Sequence, residues 1–201
     1  MDNNNLKPEI ILEKIWANLE KAVVDRKHEY HQLYFSNINK ESMPDTRTVI
    51  LRNFIRDKKN IYFHTDLRSN KVSEIKKNDK CFLLFYSQKL KEQLRMTVVS
   101  SIHYNDNITL EAWKKTRLMS RKCYLSNNAP GSLSEIPTDG IDLSLKGIEP
   151  DEKESEKGYS NFAVVVNKIN MIDWLYLSSN GHKRLAFELK NQSWKSNWKI
   201  P

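Results

Sequence analysis

Glycine, cysteine and long apolar runs are all scarce in this sequence, and each scarcity excludes a class of protein. With five glycines in 201 residues, no Gly-x-Gly-x-x-Gly and no P-loop, the usual dinucleotide and ATP sites are excluded. No run approaches the ~18–20 apolar residues of a membrane span, and the polar residues 1–5 predict no signal peptide. Cys81 and Cys123 lack His or Cys neighbours at metal-ligand spacing. We therefore expect reduced thiols, a cytoplasmic protein and no metal site.

The charge balance is basic, with 33 Lys and Arg residues against 25 Asp and Glu residues and a formal net charge of +8. The cations are dispersed, with no run of five, and the chain has no aromatic–basic RNA signature. We therefore predict no nucleic-acid binding, although the excess can serve anionic ligands. The length and a hydrophobic content of 39% predict a single folded domain, residues 1–201, without a membrane segment.

Short runs of strand character dominate the chain. Strands are predicted at 31–38, 47–55, 61–65, 81–86, 94–104, 162–166, 171–177 and 184–189, and helices at 8–26, 69–77 and 109–125. Many strands without regular strand–helix alternation favour a closed antiparallel barrel over a doubly wound sheet. The continuously apolar run 81–86 predicts burial on both faces. Residues 133–160 are polar with little periodicity, which indicates either a lid over an active site or a disordered insertion.

Two neighbouring predicted strands carry cations and hydroxyls. Alternation places Arg47, Val49 and Leu51 on one face of the first strand. The second strand leads into a helix whose first turn holds Ser69 and Lys71, and a helix start offers backbone N–H groups to an anion. The planar guanidinium of Arg47 suits bidentate contact with phosphate. From spacing alone, a β-hairpin with solvated end charges remains an equal alternative.

This stretch resembles the flavin-phosphate signature of the pyridoxamine 5'-phosphate oxidase family, the FMN-binding split barrels. The motifs are RTVILR at 47–52, YFHTDLRSNK at 62–71, QLR at 93–95, PGS at 130–132, DWL at 173–175 and the closing WKSNWKIP at 194–201. They occur in family order and at family-like spacing. The resemblance implies a mainly β, antiparallel split barrel of Greek-key type with flanking helices, FMN as cofactor, and a homodimer with FMN at the interface.

The resemblance also implies a set of FMN-binding residues. It assigns the phosphate to Arg47, Thr65, Ser69 and Lys71, with Arg68 as a further candidate. Position 70 is asparagine where the family often has arginine, which removes one charge. Other implied contacts are main-chain groups of the first strand, a glutamine that hydrogen-bonds the flavin, and a tryptophan and an arginine beside the ring. The full predicted set is Arg47, Thr48, Val49, Ile50, Leu51, Arg52, His64, Thr65, Ser69, Asn70, Lys71, Gln93, Ser132, Trp174 and Arg184.

The substrate positions depart from the family pattern. Characterised oxidases place Tyr-x-x-x-Arg-x-x-x-Ser on the helix after the long strand, and here the same spacing gives Trp113, Arg117 and Arg121. Spacing of four residues predicts that all three share one helical face. A basic helix surface with a packed tryptophan is the alternative. Arg52 and His182 complete the predicted substrate set.

The implied activity is that of an FMN-dependent oxidase. It would oxidise the amine- or alcohol-bearing carbon of a small phosphorylated substrate, such as pyridoxamine or pyridoxine 5'-phosphate, with O2 as acceptor. The chain shows no acid–base constellation, which suits a reaction that depends on positioning, and no catalytic residue is assigned. Two alternatives stay open: a flavin carrier or sensor without this activity, and a split-barrel reductase.

Overall fold

The computed structural model describes residues 7–201, and these fold into a mainly β architecture with helices around it. The helices are α1 (Pro8–Val24), α2 (Asn70–Lys77), α3 (Asn107–Lys115), α4 (Leu118–Arg121) and α5 (Glu152–Glu156). The strands are β1 (Gln32–Ile38), β2 (Pro44–Ile50), β3 (Asn53–Ile55), β4 (Asn60–Asp66), β5 (Lys80–Ser87), β6 (Glu92–His103), β7 (Phe162–Tyr176), β8 (Lys183–Lys190) and β9 (Ser193–Lys199). Within this part of the chain, no helix is both long enough and apolar enough to cross a bilayer.

All strand pairings are antiparallel, and the main path of the sheet runs β2-β1-β5-β6-β7-β4-β3. The long strand β7 changes partner along its length: its first half pairs with β4, whereas its second half pairs with β8, which in turn pairs with β9. The predicted antiparallel split-barrel class is confirmed. The closure predicted from the strand pattern is wrong, because the sheet is not closed by backbone pairing.

The opening has a local cause in two residues between β2 and β3. The backbone N–H of Leu51 donates to His31 O at 2.9 Å, on the β1 side, and that of Arg52 donates to Tyr62 O at 2.8 Å, on β4. The chain therefore exchanges one neighbour for the other within two residues. As a result, β2 has no ladder with β4 in the described chain, and a split separates these two strands.

Strand β4 separates two apolar clusters. Ile61 and Phe63 face the main core inside the sheet, which α1 also covers, with Trp16 stacked on Phe54 at 5.4 Å. The opposite face of β4 contributes Tyr62 to a second cluster; its other buried members are Trp113, Tyr124, Phe162, Val164 and Val166. This second cluster packs α3 against β7, the strand that pairs with β4.

The prediction that the run 81–86 is buried on both faces is wrong. Cys81, Leu83 and Phe85 are buried, but the side chains between them are less covered, and Tyr86 is 48% exposed. The apolar side chains of β5 therefore lie in two different environments. One face packs in the core, and the other lies on the outer surface of the sheet, where no described part of this chain covers it fully.

The predicted helix 109–125 is interrupted. Helix α3 ends at Lys115, and Thr116 is extended, with φ −81° and ψ 127°. The Thr116 hydroxyl donates to Ala112 O at 2.8 Å, a side-chain bond that competes with continued helical pairing. Because Arg117 lies at this break as the N-cap of α4, the predicted common face of Trp113, Arg117 and Arg121 is wrong.

Residues 133–160 contain a 3-10 turn at Leu143–Leu145, helix α5 and the start of a second 3-10 turn, Lys157–Asn161. The latter part of this segment packs against α3. The indole N–H of Trp113 donates to Glu156 Oε1 at 2.9 Å, and Tyr159 lies against the Trp113 ring.

Candidate functional site

Four of the predicted phosphate residues come together where β2, β4 and α2 meet. Lys71 Nζ donates to Thr65 Oγ1 at 3.2 Å. Burial, and then the nearby charge of Arg47, lower the pKa of Lys71. Ser69 is buried at the N-cap of α2, and its hydroxyl makes no capping bond. Two cations and two hydroxyls beside a helix N-terminus form a donor set suited to a dianionic phosphate.

Arg47 is held by the surrounding side chains. Its Nη1 donates to Asn37 Oδ1 and its Nη2 donates to Asp45 Oδ2. The guanidinium lies over the Phe35 ring at 5.6 Å from the ring centre. The predicted alternation is confirmed, since Val49 packs against the core and Leu51 is fully buried.

The split between β2 and β4 exposes backbone groups beside this cluster. The edge of β2 that faces away from β1 has no strand partner in the described chain. Unpaired N–H and C=O groups of such an edge are available to a ligand. The main-chain contacts predicted from the resemblance are those of Val49, Ile50 and Leu51. The first two residues lie on this strand, whereas the Leu51 N–H already donates to His31 O.

A cavity of about 680 Å³ lies at the other end of the split, between α1 and α3. Leu51, Tyr62 and His64 contribute to its lining. Its cationic lining residues are Arg26, Arg52, Lys58, Lys115 and Arg117, against one carboxylate, Glu111. Within residues 7–201, none of these five cations has a carboxylate partner, and Glu111 pairs with Lys114 outside the cavity lining. This excess of positive charge favours an anionic ligand.

His64 is a neutral group in this cavity. Burial, and then the charge of Arg52, lower the pKa of His64 to about 3. The imidazole edge contacts the Phe162 ring at 4.8 Å between ring centres. At physiological pH the ring therefore offers a hydrogen bond but no charge.

Of the three predicted substrate residues near α3, Arg117 alone lines the cavity. Trp113 is 1% exposed and belongs to the second apolar cluster. Arg121 stacks on it at 4.8 Å and donates to Trp113 O, Thr116 O, Ser155 Oγ and Glu156 Oε1. Trp113 and Arg121 thus fix the segment around Glu156 to the body of the protein.

Two predicted residues near the phosphate cluster have other surroundings. Arg68 forms a bidentate pair with Asp66 and donates to Ser126 O at 2.9 Å. Asn70 is the exposed first residue of α2. Arg68 therefore links the end of β4, through Asp66, to the segment at Ser126 that follows α4.

Five further predicted residues lie outside both the phosphate cluster and the cavity lining. Gln93 pairs with Tyr86 across β5 and β6, and Trp174 is buried in the main core. Arg184 forms an ion pair with Asp173. Ser132 is exposed in a turn, and His182 Nδ1 accepts from the backbone N–H of Ser178 at 3.0 Å.

Sequence reasoning missed two groups of residues. Asn37, Asp45 and Glu74 surround Arg47, and Arg26, Lys58 and Lys115 line the cavity. Glu74 follows Lys71 by three residues on a helix, a spacing that places the two side chains near each other. Asp45 precedes Arg47 by two residues on β2, a spacing that places both side chains on one face of the strand. For Asn37 and the three cavity cations, which reach the site from separate elements, no local pattern gave a signal. In the described chain, no cluster of three or more His, Cys, Asp or Glu residues has a metal-binding arrangement.

Comparison with known families gives a match over residues 13–103, to the family described as pyridoxamine 5'-phosphate oxidase, FMN-binding domain. A protein of Leptospira biflexa named pyridoxine/pyridoxamine 5'-phosphate oxidase is 30% identical over 173 residues, which cover 83% of this chain and 77% of that protein. A protein of Christiangramia forsetii with the same name is 26% identical over 188 residues, covering 92% of this chain and 85% of that protein.

Two solved structures resemble the fold. A pyridoxamine 5'-phosphate oxidase-related, FMN-binding protein from Nostoc punctiforme superposes with a TM-score of 0.76 at 20% identity, covering 98% of each chain. PhzG from Burkholderia lata, solved with tetrahydrophenazine-1-carboxylic acid, superposes with a TM-score of 0.71 at 15% identity, covering 100% of this chain and 95% of that one. At these sequence identities, the likeness to the two structures shows the fold alone.

Proposed function

Because this chain belongs to the pyridoxamine 5'-phosphate oxidase family of FMN-binding domains, we propose that it is an FMN-dependent oxidase. Its substrate is a small phosphorylated amine or alcohol, with pyridoxamine or pyridoxine 5'-phosphate as the first candidates and O2 as acceptor. One observation supports this most directly: a phosphate-type donor cluster and a cationic cavity lie at the two ends of the same split between β2 and β4.

In this proposal the cluster of Arg47, Thr65, Ser69 and Lys71 holds the FMN phosphate. The donor set fits the group, since cations and hydroxyl donors converge there beside an unpaired strand edge. From Arg47 to Arg52 the chain advances roughly 16 Å at the usual rise of a strand, so one ligand can extend from the cluster to the cavity. Bound FMN supplies the hydride-accepting chemistry.

The cavity holds the substrate. Arg52 and Arg117 provide the positive charge for an anionic group, and His64 offers a neutral hydrogen-bonding ring. Substrate and flavin then meet near the β2–β3 junction, and water is displaced from the apolar floor that includes Leu51. The contribution of these residues to rate is positioning and charge, because the proposal assigns no general base.

A second copy of the chain completes the site in this proposal. The outer face of β1 and β5 is apolar and exposed: Tyr34 is 47% exposed, Tyr86 is 48% exposed, and Leu84 lies opposite Tyr34. Gln93 is the direct partner of Tyr86, so its side chain lies on the same outer face. Arg184 on β8 lies in the same row of residues, because Leu175 on β7 pairs with both Gln93 and Arg184. Covering this face in a homodimer brings Gln93 and Arg184 toward the partner's flavin.

The proposal includes a cytoplasmic location. Both Cys81 and Cys123 are free thiols in the fold. Free thiols are typical of proteins from reducing compartments.

A flavoprotein without this oxidase activity, acting as reductase, carrier or sensor, is the second candidate. The specific observation in its favour is that Trp113 and Arg121, at the positions of the family's substrate tyrosine and serine, are engaged in packing the segment around Glu156. Arg117 then remains as the one member of that helical set in the cavity. The affinity for a substrate phosphate is then expected to be lower than with the family's full set of three residues.

The deciding experiment is turnover by the FMN-reconstituted protein. We expect hydrogen peroxide release with pyridoxine or pyridoxamine 5'-phosphate under air, and none with the unphosphorylated vitamers at the same concentration. A protein that binds FMN but turns over neither phosphate ester would contradict the oxidase assignment and favour the second candidate. A protein that shows no affinity for FMN by titration would contradict the flavin site itself.

A further inference from the structure

A buried polar chain connects helix α2 to the phosphate cluster through strand β1. Glu74 and Asn37 are 8% and 2% exposed, and Asn37 Nδ2 donates to Glu74 Oε2 at 2.8 Å. The same Nδ2 donates to Ile38 O at 3.1 Å. On its other side, Asn37 Oδ1 accepts from Arg47 Nη1. The three side chains come from α2, β1 and β2, so the chain of bonds crosses the elements that surround the cluster.

We propose that Glu74 and Asn37 form a positioning relay for Arg47: the buried carboxylate fixes which way the Asn37 amide faces, and the amide oxygen then fixes the guanidinium for contact with the FMN phosphate. This inference rests on the proposed phosphate site. It assigns to two residues outside the family signature a role in the affinity and selectivity of that site.

The chemistry of the Asn37 amide determines how it must be oriented. An asparagine side chain has one oxygen that accepts and one nitrogen that donates, and its two faces are exchanged by a half-turn. Glu74 is an acceptor when ionised, so it selects the amide nitrogen and leaves the oxygen for Arg47. A reversed amide would turn its oxygen toward the acceptors Glu74 Oε2 and Ile38 O, and it would present N–H groups to a guanidinium that can only donate. Such a contact is repulsive.

A hydrogen bond and a nearby cation allow the Glu74 carboxylate to be buried at this position. A buried charge is costly unless it is paired or hydrogen-bonded, and Glu74 lies between the core residues Val72 and Ile75 on α2. Its compensation comes from Asn37 and from the nearby ammonium of Lys71, whose pKa Glu74 raises in opposition to the larger effects of burial and Arg47. The carboxylate is therefore integrated with both cations of the cluster.

Asp45 completes the orientation of Arg47. It accepts from Nη2 while Asn37 accepts from Nη1, and the Phe35 ring covers one face of the guanidinium. Asp45 is about half exposed, with a side-chain exposure of 47%, whereas Asn37 is buried. The fixed part of the support is thus Asn37, whose orientation is set by two acceptors, Glu74 Oε2 and Ile38 O.

The test compares FMN with riboflavin, which has the same ring and no phosphate. Dissociation constants of both ligands are measured by flavin fluorescence quenching for the wild type, Asn37→Leu, Glu74→Gln, Glu74→Leu and Arg47→Ala. Asn167→Leu is the matched control, because Asn167 is also a fully buried asparagine, bonded to Ser100 Oγ at 2.7 Å and to Ile61 O at 3.0 Å. Melting of the apoprotein is recorded for every variant.

We expect Asn37→Leu and Glu74→Leu to weaken FMN binding about tenfold, the scale of one hydrogen bond to a charged group, with riboflavin binding changed less than twofold. Glu74→Gln, which keeps an acceptor oxygen, should recover most of the FMN affinity. Asn167→Leu should lower the melting temperature without changing the FMN-to-riboflavin ratio. In the Arg47→Ala background, Asn37→Leu should have no further effect on that ratio.

Equal losses for FMN and riboflavin in Asn37→Leu, or an undiminished loss in the Arg47→Ala background, would overturn the relay. If Asn37→Leu does not fold, Glu74→Gln and Glu74→Leu carry the same comparison, and the relay is overturned when they alter both ligands alike. The phosphate site itself is tested separately by the single variant Arg47→Ala. An unchanged FMN affinity there would contradict the proposed site before the relay is considered.

Discussion

Asp173 on β7 and Arg184 on β8 form a bidentate ion pair, in which Nε and Nη2 of Arg184 donate to the two carboxylate oxygens at 2.9 and 2.8 Å. Arg95 on β6 also reaches Asp173, at 3.0 Å. Asp173 is 3% exposed. One carboxylate thus joins three adjacent strands and orients the arginine that the family resemblance assigns to the flavin ring.

Replacing Asp173 by asparagine should destabilise the fold and loosen Arg184. Burial by itself would raise the pKa of Asp173, but hydrogen bonds from Arg184 and Arg95 outweigh it and hold the pKa below its usual value. A carboxyl group with a depressed pKa stabilises the fold above its unfolded pKa of about 3.9, and this contribution is lost as pH falls through the lower folded pKa. We expect Asp173→Asn to lower Tm by roughly 3–6 °C at pH 7.

The same variant should show a smaller loss of Tm than the wild type when pH is lowered from about 5 toward 3, because its side chain has no proton to take up there. Glu188→Gln is the matched control, since Glu188 pairs with Lys190 at 2.8 Å on an exposed surface, where such pairs contribute little. Equal Tm changes in the two variants at pH 7 would contradict the role of Asp173.

His64 should remain neutral throughout the physiological range. Its pKa is lowered to about 3, first by burial and then by Arg52. We expect the imidazole resonances of His64, assigned by NMR, to stay constant from pH 8 to pH 5, whereas the same residue in the denatured chain titrates near 6.5. In Arg52→Ala the pKa of His64 should rise but stay below 6.5, because the larger cause is burial. Titration of native His64 near neutrality would show that the cavity is wetter than the structure indicates.

Local spacing placed the side chains of the proposed phosphate cluster on their strands and helix, whereas the family resemblance supplied their assignment to a phosphate. Arg47 and Leu51 face inward because side chains alternate along a strand, and Ser69 and Lys71 follow β4 directly at a helix start. These relationships depend on neighbours in sequence. A sequence read by periodicity can therefore locate them, together with the antiparallel class of the sheet.

Contacts between distant parts of the chain were not accessible in this way. The role of Arg121 depends on Glu156, 35 residues later, and on a helix break at Thr116 that no glycine or proline announces. The exposed face of β5 has the same apolar composition as its buried face. Apolar content alone cannot distinguish a face that packs in the core from one that lies on the surface.

FMN affinity should fall at alkaline pH because of Lys71. Burial and Arg47 lower the pKa of Lys71 from its usual value of 10.5, and a bound phosphate favours the charged form. Affinity is therefore highest below the pKa of the free site and is lost as pH rises through it. We expect the dissociation constant of FMN, measured by fluorescence quenching, to increase as the pH rises toward 10.5, with little change for riboflavin.

Lys71→Arg provides the control, because a guanidinium stays protonated over this range. The dissociation constant of FMN for Lys71→Arg should rise less at alkaline pH than that of the wild type, even if the affinity of the variant at pH 7 is lower. A wild-type dissociation constant that is constant up to pH 10, or an identical alkaline limb in Lys71→Arg, would contradict a phosphate contact by the Lys71 ammonium.

Arg117 and Arg121 form a matched pair, four residues apart, with opposite expected behaviour. Arg121 is 8% exposed and its donors bind Trp113 O, Thr116 O and the Glu156 carboxylate. Arg121→Ala removes a hydrogen bond from each of these acceptors and the stacking on Trp113, so the free energy of unfolding should fall by about 2–4 kcal/mol. Arg117 lines the cavity without a carboxylate partner in the described chain, and Arg117→Ala should change the free energy of unfolding by less than about 0.5 kcal/mol.

Substrate kinetics then separate the two arginines. Arg117→Ala should retain FMN and raise the KM for pyridoxine 5'-phosphate about tenfold or more, because it removes a cation from the cavity that holds the substrate anion. Where turnover is absent, the dissociation constant of pyridoxal 5'-phosphate gives the same comparison. Loss of FMN from Arg117→Ala would contradict the placement of Arg117 at the substrate end of the split. A stable Arg121→Ala with a raised KM would contradict the structural role of Arg121 and indicate that its guanidinium contacts the substrate.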